Sequence, residues 1–340
     1  MNLTVALRAL LERRDLTHAE MTEVMRALMS GEATSAQVGG LLMGLGVKGE
    51  TVEEVAAAAS VMREFAAKVE IPCAPLVDIV GTGGDGAHTF NISTASCFVL
   101  AAAGGKVAKH GSRSMSSVSG SADLLEAAGC RLDVPFERIA QAVCELGVGF
   151  MFAPQHHSAM RHVNASRREL GVRTMFNVLG PLSNPAGAKR QVLGVFSERW
   201  RRPLAEVLLQ LGSEHALVIH ADDGLDEFSI AAPTQVSELK DGIISDYSLR
   251  PEDVGLFSAS LDSLRVASPQ ESLLKVQEAL SGQPGAARDI VAFNAGAAIY
   301  LAGLASTLRE GVARALEIQT SGAAWDTLQA YVAFTQQVDV

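Results

Sequence analysis

The sequence predicts an α/β fold: a small N-terminal helical domain beside a larger α/β domain with a mostly parallel central sheet covered by helices. Three observations carry this. The first seventy residues hold helical patterns only. From Leu76 onward, short apolar strands alternate with loops and helices. Of the 340 residues, 48% are hydrophobic but only 5% aromatic, so the core must be mostly Ala, Val, Leu and Ile, which suits helices on a sheet.

Punctuation defines the helical part. Thr17 with Glu20, and Thr51 with Glu54, read as capping boxes, in which hydroxyl and carboxylate satisfy the free amides of a helix start. Apolar stripes at helical spacing follow: Met21, Val24, Met25 and Leu28, then Val55, Ala59 and Met62. Gly31 and Gly49 sit where helices should stop. The hinge is expected near 71–75, with Pro72 and Pro75. This puts a helical domain at 1–72, joined by part of 157–185, and an α/β domain at 73–340.

Beyond the hinge, 76–80 reads as a buried strand that runs into glycines. Further strands are expected at 106–109, 148–152, 191–196 and 215–220. Helices are expected at 95–103, 122–128 (closed by Gly129), 157–170 and 202–211. Residues 235–247 look like an antiparallel pair turning at Asp241-Gly242, and the tail from Pro269 is mainly helical.

Composition limits the function. A net charge of −10 argues against a general nucleic-acid binder. Yet Lys109, Arg113, Arg161, Arg167, Arg168 and Arg173 gather in an acid-poor stretch that suits a small anion. Cys73, Cys97, Cys130 and Cys144 show no metal-ligand or redox spacing and read as buried small hydrophobes, not as a disulfide framework. No secretory leader and no membrane-length apolar run is evident, so the expected location is the cytoplasm.

Two loops carry chemistry. Val80-Gly-Thr-Gly-Gly-Asp-Gly86 follows a strand, and Asn91-Ile-Ser-Thr94 leads into an apolar helix. Glycine amides together with a helix N-terminus make a cradle for phosphate or pyrophosphate. The loop matches neither the P-loop nor the dinucleotide spacing. Asp85 within it calls for a sugar hydroxyl or a metal. The second loop, Lys109-His-Gly-Ser-Arg-Ser-Met-Ser-Ser117, reads as a mobile flap over a polyanion with Lys109 as its point charge, or as a plain solvated loop. After the strand at 215–220, the adjacent Asp226 and Glu227 offer hard oxygens of the kind magnesium prefers, or form an exposed acidic turn.

Taken together, 78–86, 89–94, 109–113, 119–129, 167–174, 176–185, 223–229 and Asn294-Ala-Gly-Ala-Ala298 resemble the anthranilate phosphoribosyltransferases, in order and over nearly the whole chain. The resemblance implies phosphoribosyl pyrophosphate and anthranilate as substrates. It also implies Mg2+, two per subunit, and a homodimer through the helical domain, with no nucleic acid or membrane as partner. It assigns the donor to Gly81, Gly84, Asp85, Thr89, Asn91, Ile92, Ser93 and Thr94, to Lys109, His110, Gly111, Ser112, Arg113, Ser114, Met115, Ser116 and Ser117, and to Ser121. It assigns the acceptor to Gly81, Ser112, His157, Met160, Asn164 and Arg167, and the metal to Ser93, Asp226 and Glu227. Lys109, His110 and Arg167 are the expected catalytic residues. Lys109 stabilises the departing oxygens, His110 is a candidate proton acceptor, and Arg167 grips a carboxylate with its planar fork. The chain departs from the family at Ser112 (usually Asn), Ser158 (Pro), Asn164-Ala-Ser166 (more apolar) and Val118 (often Lys). Three of these changes fall at or beside the acceptor pocket. A relative using a different aromatic amine, a nucleoside phosphorylase of the same fold and a non-catalytic nucleic-acid binder stand as alternatives.

Overall fold

A computed structural model describes residues 2–114 and 118–337. Helices α1 (Leu3–Leu11), α2 (His18–Ser30), α3 (Ser35–Lys48) and α4 (Val52–Phe65) fill the N-terminal part. Both expected capping boxes form, and Thr34 with Gln37 adds another at α3. Gly31 closes α2 in the left-handed conformation, φ +80°. Glu54 does more than cap α4. Fully buried, it accepts from Leu16 N at 2.8 Å and from Lys48 Nζ at 2.9 Å, and so ties α4 to the end of α3 and to the connection between α1 and α2.

The sheet contains β1 (Leu76–Gly81), β2 (Lys106–Gly111), β3 (Val148–Phe152), β4 (Arg190–Gly194), β5 (His215–Ala221), β6 (Thr234–Lys240) and β7 (Ile243–Leu249). Between them come α5 (Ile92–Ala102), α6 (Ser121–Ala127), α7 (Phe136–Leu146), α8 (Ala153–His156), α9 (Arg161–Leu170), α10 (Phe176–Leu179) and α11 (Arg201–Gln210). The tail forms α12 (Pro269–Leu280), α13 (Ala286–Leu301), α14 (Leu308–Ser321) and α15 (Ala323–Gln336). Strand order is β3-β2-β1-β4-β5-β6-β7, parallel as far as β5 and antiparallel beyond. The β6–β7 turn falls at Asp241 and Gly242, both at positive φ, as a tight hairpin requires.

From β1 the chain winds outward to β2 and β3, then returns through 153–189 to lay β4 on the other side of β1. The order of strands reverses between β1 and β4. In open α/β sheets, ligands bind at the carboxyl ends beside such a switch point. One face of the sheet shares a core with α5 and α12 to α15. On the other face, Leu193, Ala216, Val218 and Leu239 join a core that runs through α11 into the helical bundle. The returning segment packs there too. α9 lies on α2 and α3, and Val163, Met175, Phe176 and Leu179 enter the bundle's core.

Several expectations need correction. The helix foreseen at 157–170 begins at Arg161. Pro154 starts a separate short turn, α8, and His157 then leaves helical conformation before a 3-10 turn at Ser158–Met160. Helix α7 was not foreseen, although Gly147 marks its end at φ +84°. Cys73 and Cys144 are half-buried and form a disulfide that joins the interdomain linker to α7; Cys97 and Cys130 are buried and free. The pair is 71 residues apart in sequence, so no local spacing reveals it.

Helices α13 and α14 touch backbone to backbone. A Cβ on Gly296 would lie 2.5 Å from Val312 N, and one on Gly311 would overlap the Gly296 carbonyl. Gly296→Ala or Gly311→Ala should therefore force the helices apart and lower stability by about 1–3 kcal/mol in urea unfolding. An unchanged midpoint for both variants would rule out the contact.

Candidate active site

Gly81 and Gly194 pair in register at the carboxyl ends of β1 and β4. The acidic loop after β5 lies directly on them. A Cβ at Gly81 would overlap the Asp226 carboxylate, and one at Gly194 would overlap the Asp226 carbonyl, so both positions need glycine for close approach. Asp226 Oδ2 accepts from Gly83 N at 2.7 Å, and Glu227 Oε1 accepts from Ser93 N at 3.2 Å. The glycine loop turns through Gly83, Gly84 and Gly86, all at positive φ. Asn294, fully buried on α13, holds the acidic loop from behind. It accepts from Phe228 N at 2.9 Å and donates to Phe228 O at 3.0 Å.

Helix α5 begins at Ile92, so Ser93 and Thr94 belong to its first turn and do not merely precede it. Asn91 stands at the N-cap but its side chain does not cap; it accepts the Ser119 and Ser272 hydroxyls at 2.8 and 2.7 Å. Ile92 N donates to Phe90 O at 2.8 Å and Ser93 N to Glu227, which leaves the Thr94 amide of the first turn for an anion. Thr94 Oγ1 is buried without a hydrogen-bond partner. Thr89 bridges to Arg265, and Asp85 Oδ1 accepts from Ala87 N at 3.1 Å, which shapes the loop. Lys109 belongs to β2 and not to a flap. It is 4% exposed, and its Nζ donates to Ile79 O at 2.6 Å and Ser93 Oγ at 3.4 Å. The sequence places it beside a serine-rich loop, but the strand continues through it.

Charge here is unbalanced. Burial, then the nearby Asp85, push the Asp226 carboxyl well above the usual carboxylate range, with Lys109 opposing. Burial and Asp226 push Glu227 up in the same way. Among the described residues no three His, Cys, Asp or Glu side chains gather into a ready-made metal cage. Two adjacent carboxylates beside a hydroxyl and a phosphate cradle instead fit magnesium, which completes its shell with substrate oxygens and water.

A buried network missed by sequence reasoning underlies β1 and β2. Asp78, fully buried, accepts from Asn184 Nδ2 at 2.7 Å and from His110 N at 3.4 Å, while Asn184 Nδ2 also donates to Ala108 O at 2.9 Å. Burial raises Asp78 to about 6, against the pull of Lys109. The only sequence signal was an acid inside an apolar strand. Above the network, the rings of His110 and His157 stand 5.0 Å apart. Each is hydrogen-bonded to a backbone group, Gly180 for His110 and Ser183 for His157, and Nε2 of each is buried without a partner. Burial holds His110 well below the usual imidazole range and His157 at about 4. Both rings are therefore neutral at pH 7 and present bare acceptor nitrogens.

On the acceptor side, Arg167 is half-buried, lies 5.3 Å from the centroid of the Phe176 ring, and reaches Asn164 Oδ1 at 3.5 Å. Glu169 is not its partner, and it forms no ion pair among the described residues. Met160 is half-buried against the bundle's core. Arg113 is turned away from the glycine loop, paired with Glu126 and Asp123. Asp123 also accepts from Ser114 N at 2.9 Å and Gly120 N at 2.8 Å, folding the loop onto α6. Ser112 is exposed; its carbonyl accepts from Ala122 N at 3.2 Å and the Ser121 hydroxyl at 3.4 Å. Gly111 lies against Ser121, where a Cβ would meet the hydroxyl. Met115, Ser116 and Ser117 lie outside the described residues.

Known proteins match this arrangement over its full length. Residues 4–66 match the glycosyl transferase family helical bundle domain, and residues 73–325 its a/b domain. The chain is 57% identical over 335 residues to the anthranilate phosphoribosyltransferase of Thioalkalivibrio sulfidiphilus, covering 98% of this chain and 99% of that one. It superposes on the Thermus thermophilus anthranilate phosphoribosyltransferase with a TM-score of 0.92 at 47% identity, covering 97% and 99% of the two chains. The Saccharomyces cerevisiae anthranilate phosphoribosyltransferase in complex with PRPP and Mg gives 0.90 at 26% identity, covering 99% and 98%. The same yeast protein in complex with 4-fluoroanthranilate gives 0.88 at 26%, with the same coverage. With both domains present and the likeness running from end to end, the chain belongs to the anthranilate phosphoribosyltransferase family.

Proposed function

We propose that this chain transfers the phosphoribosyl group of phosphoribosyl pyrophosphate to anthranilate, giving N-(5-phosphoribosyl)anthranilate and pyrophosphate, a step of tryptophan biosynthesis. The observation that carries the reading is the acidic pair Asp226–Glu227 pressed onto a glycine loop and the first turn of α5, with the unpaired Arg167 on the acceptor side.

The glycine loop and the first turn of α5 receive the donor's phosphates. Ser93, Asp226 and Glu227 would hold magnesium, two ions per subunit, whose charge would support the leaving pyrophosphate. Lys109 adds a buried positive charge beside Ser93. The C1–oxygen bond to pyrophosphate breaks as the aromatic nitrogen bonds to C1, and that nitrogen then sheds one proton. His110 and His157 offer neutral Nε2 atoms to the amine hydrogens. A charged imidazolium there would oppose the positive charge developing on the ribose. Arg167 pairs with the anthranilate carboxylate through two parallel bonds, which fixes the ring and so brings the amine into line.

A second copy of the chain completes the assembly. Val5 and Leu11 on α1, and Met43 and Val47 on α3, are exposed apolar side chains on two helices that pack together. They support a homodimer through the helical domain.

Two outcomes follow. Arg167→Gln should raise the KM for anthranilate about 10–100-fold, the loss of a charge-assisted pair, while the KM for phosphoribosyl pyrophosphate stays within about twofold. Equal shifts in both would remove Arg167 from the acceptor site. Replacing Leu11 and Val47 together by Lys should convert the dimer to a monomer in sedimentation velocity; an unchanged sedimentation coefficient would move the interface elsewhere.

A further inference from the structure

Arg173 lies between α9 and α10, just beyond Gly171, which ends α9 at φ +63°. Its guanidinium rests 4.3 Å from the centroid of the Phe196 ring and donates to Gly84 O at the bend of the glycine loop. Gly84 turns at φ +79°, which favours glycine, and a Cβ there would sit 3.2 Å from Arg173 Nη2. The ring beneath is fixed to the same loop. Phe196 N donates to Thr82 Oγ1 at 3.0 Å, and Thr82 N donates to Gly194 O at 2.9 Å. One end of the loop is thus tied to β4 through Thr82, and its bend is held by an arginine stacked over β4's continuation.

The charge on Arg173 is not neutralised: it is exposed and forms no ion pair among the described residues. Of the five N–H donors a guanidinium carries, a single carbonyl uses one. A plain tether to a carbonyl has no need of a full positive charge. The helix before it carries Asn164 and Arg167, and its apolar side is seated in the helical bundle. Arg173 is therefore a direct link between the element that bears the acceptor residues and the loop that bears the donor.

We infer that Arg173 is a positioning residue that couples the two substrate sites. Occupation of the glycine loop by the anionic donor draws the Arg173 segment, and α9 with it, toward the loop, so that the acceptor binds more tightly once the donor is in place. Lysine reproduces the charge but not the flat stack on Phe196 with a donor directed sideways, so it should restore the coupling only in part. The inference rests on the transferase reading and deepens it.

The test is a binding cycle by calorimetry on the full chain. The probe is 2-hydroxybenzoate, which keeps the carboxylate but lacks the amine, titrated with and without magnesium and phosphoribosyl pyrophosphate. Donor should tighten the probe by about tenfold or more in the wild type, within the usual range of site-to-site coupling. In Arg173→Ala the tightening should fall to less than about twofold, with the probe's affinity in the absence of donor changed by less than about threefold; Arg173→Lys should be intermediate. Undiminished tightening in Arg173→Ala would overturn the proposal. So would weakened donor binding with the tightening intact, since that is the mark of an ordinary phosphate contact. Wild-type chain that binds no donor would instead overturn the transferase reading, and the coupling with it.

Discussion

Asp226 and Glu227, two adjacent carboxylates held against the glycine loop, form the constraint around which the carboxyl edge of the sheet is built. Like charges taken out of water together cost free energy unless something positive joins them. The surroundings are shaped to tolerate that cost. Gly81 and Gly194 give up their side chains so that Asp226 can lie on the strand ends. Gly83 N and Ser93 N each donate one bond to the pair. Asn294 fixes the backbone at Phe228 on both sides, and Asp223 accepts the Ser229 hydroxyl to close the loop. Lys109 is buried close by and compensates part of the charge. The remainder is left for a cation. Stability given up in this way at a functional site is a familiar trade.

Topology explains why the proposed donor and acceptor residues ride largely on different parts of the molecule. The proposed donor elements, the glycine loop, α5 and the acidic loop, grow from the sheet at its switch point. Most of the proposed acceptor residues, His157, Met160, Asn164 and Arg167, lie on the long return from β3 to β4, and α9 on that return is packed into the core of the helical bundle. The two sets meet at several points, among them the His110 ring beside His157, Asn184 against Asp78 and Ala108, and Arg173 against Gly84.

Sequence reading succeeded where the signal is local. Thr17 with Glu20, Gly31, the glycine loop and the Asp241-Gly242 turn each encode a conformation in a few residues, and each takes the form that its chemistry requires. It failed where the determinant is a distant partner. Asn184 reaches Asp78 across 106 residues, and Cys144 reaches Cys73 across 71. Nothing near Arg113 in the chain shows that it turns toward Glu126, or near Lys109 that the strand carries on past it to Gly111. The neutral state of His110 and His157 is equally invisible in sequence, because it comes from burial and from neighbouring imidazoles that only the folded chain brings together, against the opposing pull of backbone groups on the return segment.

Thermal unfolding of the wild type and of the double variant Asp226→Asn, Glu227→Gln, each alone and with magnesium and phosphoribosyl pyrophosphate, tests the charge account most directly. If the acidic pair is a cost that a cation relieves, the neutral variant melts above the wild type when both are free of ligand. The magnesium-dependent rise seen in the wild type is then absent from the variant. A variant that melts below the wild type without ligand, yet keeps the magnesium-dependent rise, would contradict it.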